Sequence, residues 1–274
     1  PSGYMDLSLS RDRQKVAVSI VDPVAGPPDI WVYEVSRGFP SRFTFDPAAD
    51  RRPIWSPDGT RLAFTSNRKG QFNLYIRSFA GSGTEELLLE DDRETFPTDW
   101  SSDGRYILFH TRGDPKTLSD VWALPLSGDR KPIPVVQTQF REIEAVFSPD
   151  GRWIAYTSEE SARNEVYVTP FPRPGRKWQV STSGGDLPHW ASTGREIFFV
   201  GTGDRIMAAE VSASGDTFQV GRTQQLFEIR GQRPGNVFDV TPDGQRFLVN
   251  TAPQLQTSVP MTLVVNWPAE LKKK

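Results

Sequence analysis

Short runs of β-branched and aromatic residues, many alternating apolar with polar at period two, fill this chain, and turn residues separate them. They predict strands in groups of four. The first group covers 5–9, 15–21, 30–35 and 41–45, with a Pro- and Gly-rich loop over 22–28. The second covers 53–55, 61–65, 73–78 and 86–89, and the third 97–100, 106–110, 120–126 and 133–136. The fourth covers 145–147, 153–158, 165–170 and 178–181, and the fifth 187–190, 196–200, 205–212 and 225–228. The sixth group has three, at 237–240, 247–251 and 261–267. No run has the 3.6-residue period of an amphipathic helix, and 269–272 is a single helical turn at most.

The junction between the first two strands recurs. Trp55-Ser56-Pro57-Asp58-Gly59-Thr60-Arg61-Leu62-Ala63-Phe64 ends one strand, reverses and starts the next. Pro57 presets φ for the second turn position, Asp58 suits the third, and Gly59 tolerates a left-handed fourth. Phe147-Ser148-Pro149-Asp150-Gly151, Trp100-Ser101-Ser102-Asp103-Gly104 and Val240-Thr241-Pro242-Asp243-Gly244 repeat it. Worn copies stand at Trp190-Ala191-Ser192-Thr193-Gly194 and Leu9-Ser10-Arg11-Asp12-Arg13. Positions equivalent to Ser56 fall at 10, 56, 101, 148, 191 and 241, in steps of 46, 45, 47, 43 and 50. Repeats of roughly 40–50 residues built of short strands are the mark of propeller blades. The expected fold is all-β: one six-bladed β-propeller over 1–274 with four-stranded antiparallel blades near 1–46, 47–91, 92–138, 139–182, 183–230 and 231–274. The sixth blade is expected to have three strands, its fourth lying upstream of Pro1 in a longer parent chain.

Trp55, Trp100, Phe147 and Trp190 hold one equivalent position per repeat. A stacking platform for sugars or bases would show this period, and so would wedges packed between blades; the wedge role is the one expected, as it is for Phe64, Tyr106, Tyr156 and Phe198. Asp58, Asp103, Asp150 and Asp243 form a periodic acidic series and are expected to cap their own turns.

Composition narrows the function. With 32 Lys+Arg against 34 Asp+Glu the net charge is −2, which gives no electrostatic case for nucleic acid or an anionic membrane as the partner. The absence of cysteine excludes disulfides, thiolate metal sites and cysteine nucleophiles, and leaves the compartment undecided. No stretch of 18 apolar residues is present, so no direct membrane insertion is expected. The only histidines, His110 and His189, are too few for a His-rich metal site. No Gly-x-Ser-x-Gly elbow, dinucleotide fingerprint or kinase signature occurs, and the Asp-Gly spacing differs from the Ser-x-Asp-x-Gly turns of sialidase-type propellers. Neither a catalytic residue nor a metal or cofactor is expected.

What varies is the stretch just before each first strand. In a propeller these stretches rim one mouth of the axial channel. They supply Arg51, Arg52, Arg93, Glu94, Arg141, Glu142, Asp186 and Asn236 as candidate partner-binding residues. A protein or peptide ligand, bound by a monomeric domain, fits such a mixed-charge ring. A solvated rim of mutual ion pairs would look the same in sequence.

The Trp-Ser-Pro-Asp-Gly repeats resemble those of TolB-type six-bladed propellers over essentially the whole chain. The resemblance is closer to the TolB-like propeller found C-terminal to some bacterial serine/threonine protein kinases. It is carried by Ser41-Arg42-Phe43-Thr44-Phe45-Asp46-Pro47, by Glu85-Glu86-Leu87-Leu88-Leu89, and by Tyr167-Val168-Thr169-Pro170-Phe171-Pro172 with Lys177-Trp178-Gln179-Val180-Ser181. The ending Val264-Val265-Asn266-Trp267 adds to it. The resemblance implies a non-catalytic sensory or protein-binding module, detached from a kinase with an upstream membrane span and placed outside the cytoplasm. The alternatives are a substrate-gating propeller of a prolyl-oligopeptidase-like hydrolase, whose turns share the motif, and a propeller enzyme acting in its axial channel.

Overall fold

The structure, a computed structural model, describes residues 3–22, 26–79, 83–173, 175–229, 238–251 and 262–265. Among these are 23 strands and no helix. They form six antiparallel sheets. The first holds β1 (Gly3–Leu9), β2 (Lys15–Asp22), β3 (Gly26–Glu34) and β4 (Pro40–Arg42). The second holds β5 (Asp50–Trp55), β6 (Arg61–Lys69), β7 (Gln71–Ser78) and β8 (Glu86–Leu89). The third holds β9 (Glu94–Trp100), β10 (Tyr106–Arg112), β11 (Val121–Pro125) and β12 (Ile133–Val136). The fourth holds β13 (Glu142–Phe147), β14 (Trp153–Ser158), β15 (Glu165–Pro170) and β16 (Trp178–Gln179). The fifth holds β17 (Asp186–Trp190), β18 (Glu196–Gly201), β19 (Arg205–Ser214) and β20 (Thr217–Glu228). The sixth has three described strands, β21 (Phe238–Val240), β22 (Arg246–Val249) and β23 (Thr262–Val265). Two compact units result. One contains the first, second and sixth sheets with 94–97 of β9; the other contains the remainder of β9 and strands β10–β20.

The repeated turn is a closed hydrogen-bond circuit. Ser56 N–H donates to the Arg61 carbonyl at 2.9 Å and Gly59 N–H to the Ser56 carbonyl at 2.9 Å. The Ser56 hydroxyl donates to Asp58 at 2.5 Å and accepts from Arg61 N–H at 2.9 Å, while Asp58 also accepts from Thr60 N–H at 3.0 Å. The Ser56 hydroxyl first, then the Thr60 N–H and hydroxyl, hold the Asp58 carboxyl down at about 2. The circuit is the same at Ser101–Asp103 and Ser148–Asp150. The worn copy at Ser10–Asp12 keeps it too, with Arg13 taking the left-handed position (φ 63°) that Gly59 takes at 67°.

The fourth sheet is apolar on both faces. The whole of β14 is buried, and its alternate residues enter two different cores. Ile154 and Tyr156 pack with Leu108, Ala123, Phe147 and Phe171. Trp153 and Ala155 pack with Val168, Val180, Phe199 and Phe218. In the other unit Trp55, Phe64 and Tyr75 pack on Ile30, Val32 and Phe43. Trp55, Trp100 and Phe147 are buried and Trp190 half-buried, which puts the periodic aromatics in packing positions.

Several boundaries differ from the sequence reading. β3 begins at Gly26, inside the stretch expected to be loop, and Asp22 pairs with Gly26. β4 stops at Arg42 because the Thr44 hydroxyl takes the Ile30 N–H that a longer strand would bind. β20 starts at Thr217, eight residues before the expected 225, because Gly215 (φ 58°) and Asp216 close a two-residue hairpin between Ser214 and Thr217. Its exposed polar residues hid it. The stretches read as loops before the first strands lie largely inside them: β5 begins at Asp50, β9 at Glu94, β13 at Glu142 and β17 at Asp186, with Arg93 and Arg141 just ahead of their strands. Asn236, residues 1–2, positions 261, 266 and 267 of the expected sixth-group strand and the turn at 269–272 lie outside the described residues.

Trp100→Ala is expected to cost about 3–5 kcal/mol, since its side chain is fully enclosed. Asp58→Ala, which opens one turn circuit at the surface, is expected to cost about 1 kcal/mol. Chemical denaturation of the two variants measures both.

Candidate functional site

The first strands share a kink near their starts. Register shifts interrupt β1 between Tyr4 and Leu7, β5 between Arg51 and Ile54, β13 between Ile143 and Val146, and β17 between Asp186 and His189. In three of them the residue three before the strand's end has positive φ: Arg52 at 52°, Glu144 at 53° and Leu187 at 53°. A left-handed bulge residue is most cheaply glycine. None of these is glycine, so each side chain is held out of line at a cost of about 1–2 kcal/mol.

In the first unit this kink assembles an arginine and phenylalanine cluster. The Arg51 guanidinium lies 5.4 Å from the centre of the Phe72 ring, and Arg52 lies 5.9 Å from that of Phe96. The two rings pack together at 5.6 Å. Arg52 N–H donates to Asp6 at 3.3 Å, and its Nε lies 3.8 Å from the same carboxylate. Arg51 is different: among the described residues no carboxylate pairs with it, and its buried Nε has no hydrogen-bond acceptor. Beside it Asp50 is completely buried, and burial raises its pKa against the opposing pull of Ser66 and Arg68. Arg68 holds Asp50 at 3.1 Å, also pairs with Glu85, and stacks 4.4 Å from the Tyr75 ring centre. Arg93 folds back on Asp91 in a two-pronged pair at 2.9 and 3.0 Å. Glu94 is half-buried at the start of β9.

The second unit treats its members differently. Arg141 pairs with Glu159 at 2.7 Å. Glu142 is fully buried, accepting from the Thr138 hydroxyl at 2.6 Å and the Ser158 hydroxyl at 3.2 Å, and burial raises its pKa. Asp186 accepts from Asn164 at 3.0 Å, the Thr157 hydroxyl at 3.1 Å and Leu187 N–H at 2.8 Å. These acids brace the strand starts from within.

Sequence reasoning missed two residues that tie neighbouring first strands together. Asp99 accepts from Trp100 N–H and Phe147 N–H, both at 2.7 Å. Asp239 does the same in the first unit, from Val240 N–H and Leu9 N–H at 2.7 Å each. Both stand immediately before the strand-ending residue of their motif, a spacing signal that was available. Burial raises Asp239 to about 6 against the pull of its two N–H donors. His189, at the corresponding position of β17, is pushed down to about 4 by burial. His110 is buried in β10 opposite Val121. Among the described residues no group of three or more His, Asp or Glu side chains could hold a metal ion, and no helix is long and apolar enough to cross a membrane.

Sheets of this kind and order are similar in fold to solved TolB propellers. Residues 7–123 match the family model described as the TolB beta propeller domain. The crystal structure of TolB from Acinetobacter baumannii superposes with a TM-score of 0.69 and 17% identity, over 89% of this chain and 59% of that one. Among curated proteins, the chain is similar to the uncharacterized peptidase YuxL of Bacillus subtilis, 27% identical over 180 residues. It is also similar to tricorn protease homolog 1 of Streptomyces coelicolor, 31% identical over 102 residues. The matches cover 51% and 36% of this chain but only 27% and 10% of those relatives.

The two buried groups set opposite pH dependences. Asp239, raised from 3.8 to about 6, contributes stability that is present below pH 3.8 and lost as pH rises through 6. His189, lowered from 6.5 to about 4, contributes stability that is present above pH 6.5 and lost as pH falls through 4. Each is worth up to about 3 kcal/mol, an upper figure because both side chains keep some accessible surface. Relative to wild type between pH 4 and 6, Asp239→Asn should gain stability as pH rises and His189→Gln as pH falls. Urea denaturation across that range tests both; two variants that track the wild-type profile would contradict the assignment.

Proposed function

We propose that the chain is a non-catalytic, protein-binding propeller module that acts as a single copy. In this reading the six sheets are the blades of one ring, and the first strands line its channel. A protein or peptide ligand docks at their starts. The carrying observation is Arg51, a cation steadied on the Phe72 ring and not neutralised by any carboxylate among the described residues. A guanidinium preset on an aromatic face loses little side-chain freedom when an acidic partner arrives. Arg52 and Glu94 extend the docking surface, while Arg141, answered by Glu159, and Asp186, held by Asn164 and Thr157, brace the strand starts, and Asn236 lies outside the described residues. Arg93 and Glu142 belong to the same proposal as supports, because one is folded onto Asp91 and the other is enclosed.

Two settings for the module are in competition. The closer sequence resemblance supports the sensory part of a receptor-like serine/threonine kinase outside the cytoplasm. The names of the peptidase relatives support a propeller that gates substrates for a hydrolase domain. Identifying the domain encoded beside this chain in its gene separates them.

Selecting peptides from a random phage library against the 274-residue chain tests the docking site. Acidic binders are expected, weakened at least about tenfold by Arg51→Ala, the scale of a desolvated charge contact, and unchanged by Arg105→Ala in an exposed turn. Binders indifferent to Arg51 would place docking elsewhere.

A further inference from the structure

The residue that follows the third strand is fixed in the same way in four sheets. Its N–H donates to the carbonyl that precedes the second strand: Val35 to Gln14, Phe79 to Thr60, Leu126 to Arg105 and Phe171 to Arg152, at 2.7–2.9 Å. In the second and fourth sheets this residue is phenylalanine and packs on the aromatic that ends the first strand. Phe79 lies 5.7 Å from Trp55, and Phe171 lies 5.3 Å from Phe147. Each ring is covered by the first residue of the second strand of the preceding sheet. Lys15 Nζ sits 5.1 Å over Phe79, and Tyr106 packs 5.2 Å from Phe171. In the fifth sheet the ring comes from Phe218, 5.2 Å from Trp153, which holds that same covering position.

The first sheet breaks the pattern. Its two ring positions hold Leu9 and Val35, and the covering position, the first residue of β22, is Arg246. Where the ring would lie there is an open cleft of about 230 Å³ within the first unit, lined by Leu9, Val16, Tyr33, Val35, Leu248 and Arg246 among others. An apolar cavity of about 150 Å³ suffices for benzene. The chain thus fills this seat with its own rings in the second, fourth and fifth sheets; the third holds Trp100 and Leu126 at the two positions, and among the described residues the first has neither ring.

We propose that this cleft is a docking seat for one aromatic side chain of an acidic partner polypeptide, with Arg246 closing over the ring as Lys15 closes over Phe79. Charge decides the flanks of the partner. Arg246 lines the cleft, and its one acid, Glu34, is paired with Arg37 at 3.5 Å. A polypeptide fits better than a free aromatic molecule because apolar surface continues past the cleft. Val35 is 46% exposed and Phe39, on the same β3–β4 connection, is 76% exposed. A lone ring seated against Val35 would leave Phe39 uncovered. The seat lies at the hairpin-turn end of the sheets, and Arg51 and Arg52 lie at the strand starts, so the two sites are separate.

The probes are two capped hexapeptides, Gly-Asp-Asp-Phe-Asp-Gly and its counterpart with alanine for phenylalanine, titrated by calorimetry into the 274-residue chain. Saturable binding of the first is expected, at least about fivefold tighter than the second, since a buried ring is worth more than 1 kcal/mol. Val35→Phe fills the seat from within. It should abolish binding while leaving the melting temperature at or above wild type. Arg246→Gln, an exposed change that cannot unfold the chain, should weaken binding about threefold to tenfold, the range of a cation–ring contact. Equal binding of the two peptides, no saturation, or unchanged affinity in either variant would overturn the proposal. So would a wild-type dimer that Phe39→Ala dissociates, because the seat would then belong to a second copy.

Discussion

The constraint on which the rest depends is that a sheet such as the fourth is apolar on both faces. A strand such as β14, buried along its whole length, has no solvent side to offer. Such a sheet must be covered twice: the fourth packs one face on the third sheet and the other on the fifth. The repeated turns serve that requirement. A serine hydroxyl and an aspartate carboxylate close each hairpin at the same residue count, so the strand-ending aromatics arrive at one level and can interdigitate. The energy resides in the rings, while the turns fix where the rings go.

The same economy explains what could be read directly. The Trp-Ser-Pro-Asp-Gly motif encodes its geometry in residues whose backbone preferences are strong, so strand number, spacing and aromatic packing were all legible. Three things were not. β20 is exposed and polar, and only the Gly215-Asp216 turn betrays it. The left-handed bulges at Arg52, Glu144 and Leu187 carry no glycine, so composition gives no sign of them. The division of labour among the candidate acids depends on depth, which sequence does not record. Glu142 and Asp186 look alike on paper, yet one is sealed under two hydroxyls while the other keeps an accessible edge.

That division gives the strand starts their character. Most charges there are answered locally, as in Arg93 with Asp91, Arg141 with Glu159 and Arg68 with Asp50 and Glu85. Such pairs hold loops in place and offer little to a newcomer. Against this background Arg51, seated on a ring and paired with no carboxylate among the described residues, stands apart. The aromatic seat at the opposite end of the sheets is found by the same reasoning, from one member of a repeated set that lacks what its siblings have.

The bond from Leu9 N–H to Asp239 joins residues 230 positions apart, and Asn250 reaches Tyr4 across 246. Contacts of such separation cannot form until the intervening chain is in place, and closing so long a loop is the entropic hurdle of folding such a topology. During synthesis the first sheet therefore emerges long before the segment that covers one of its faces has been made. Its apolar side must wait uncovered while some two hundred residues are added, at about 5–20 per second. The Asp239 carboxylate is thus a late lock: the first strand is fixed only after the sixth sheet has been made.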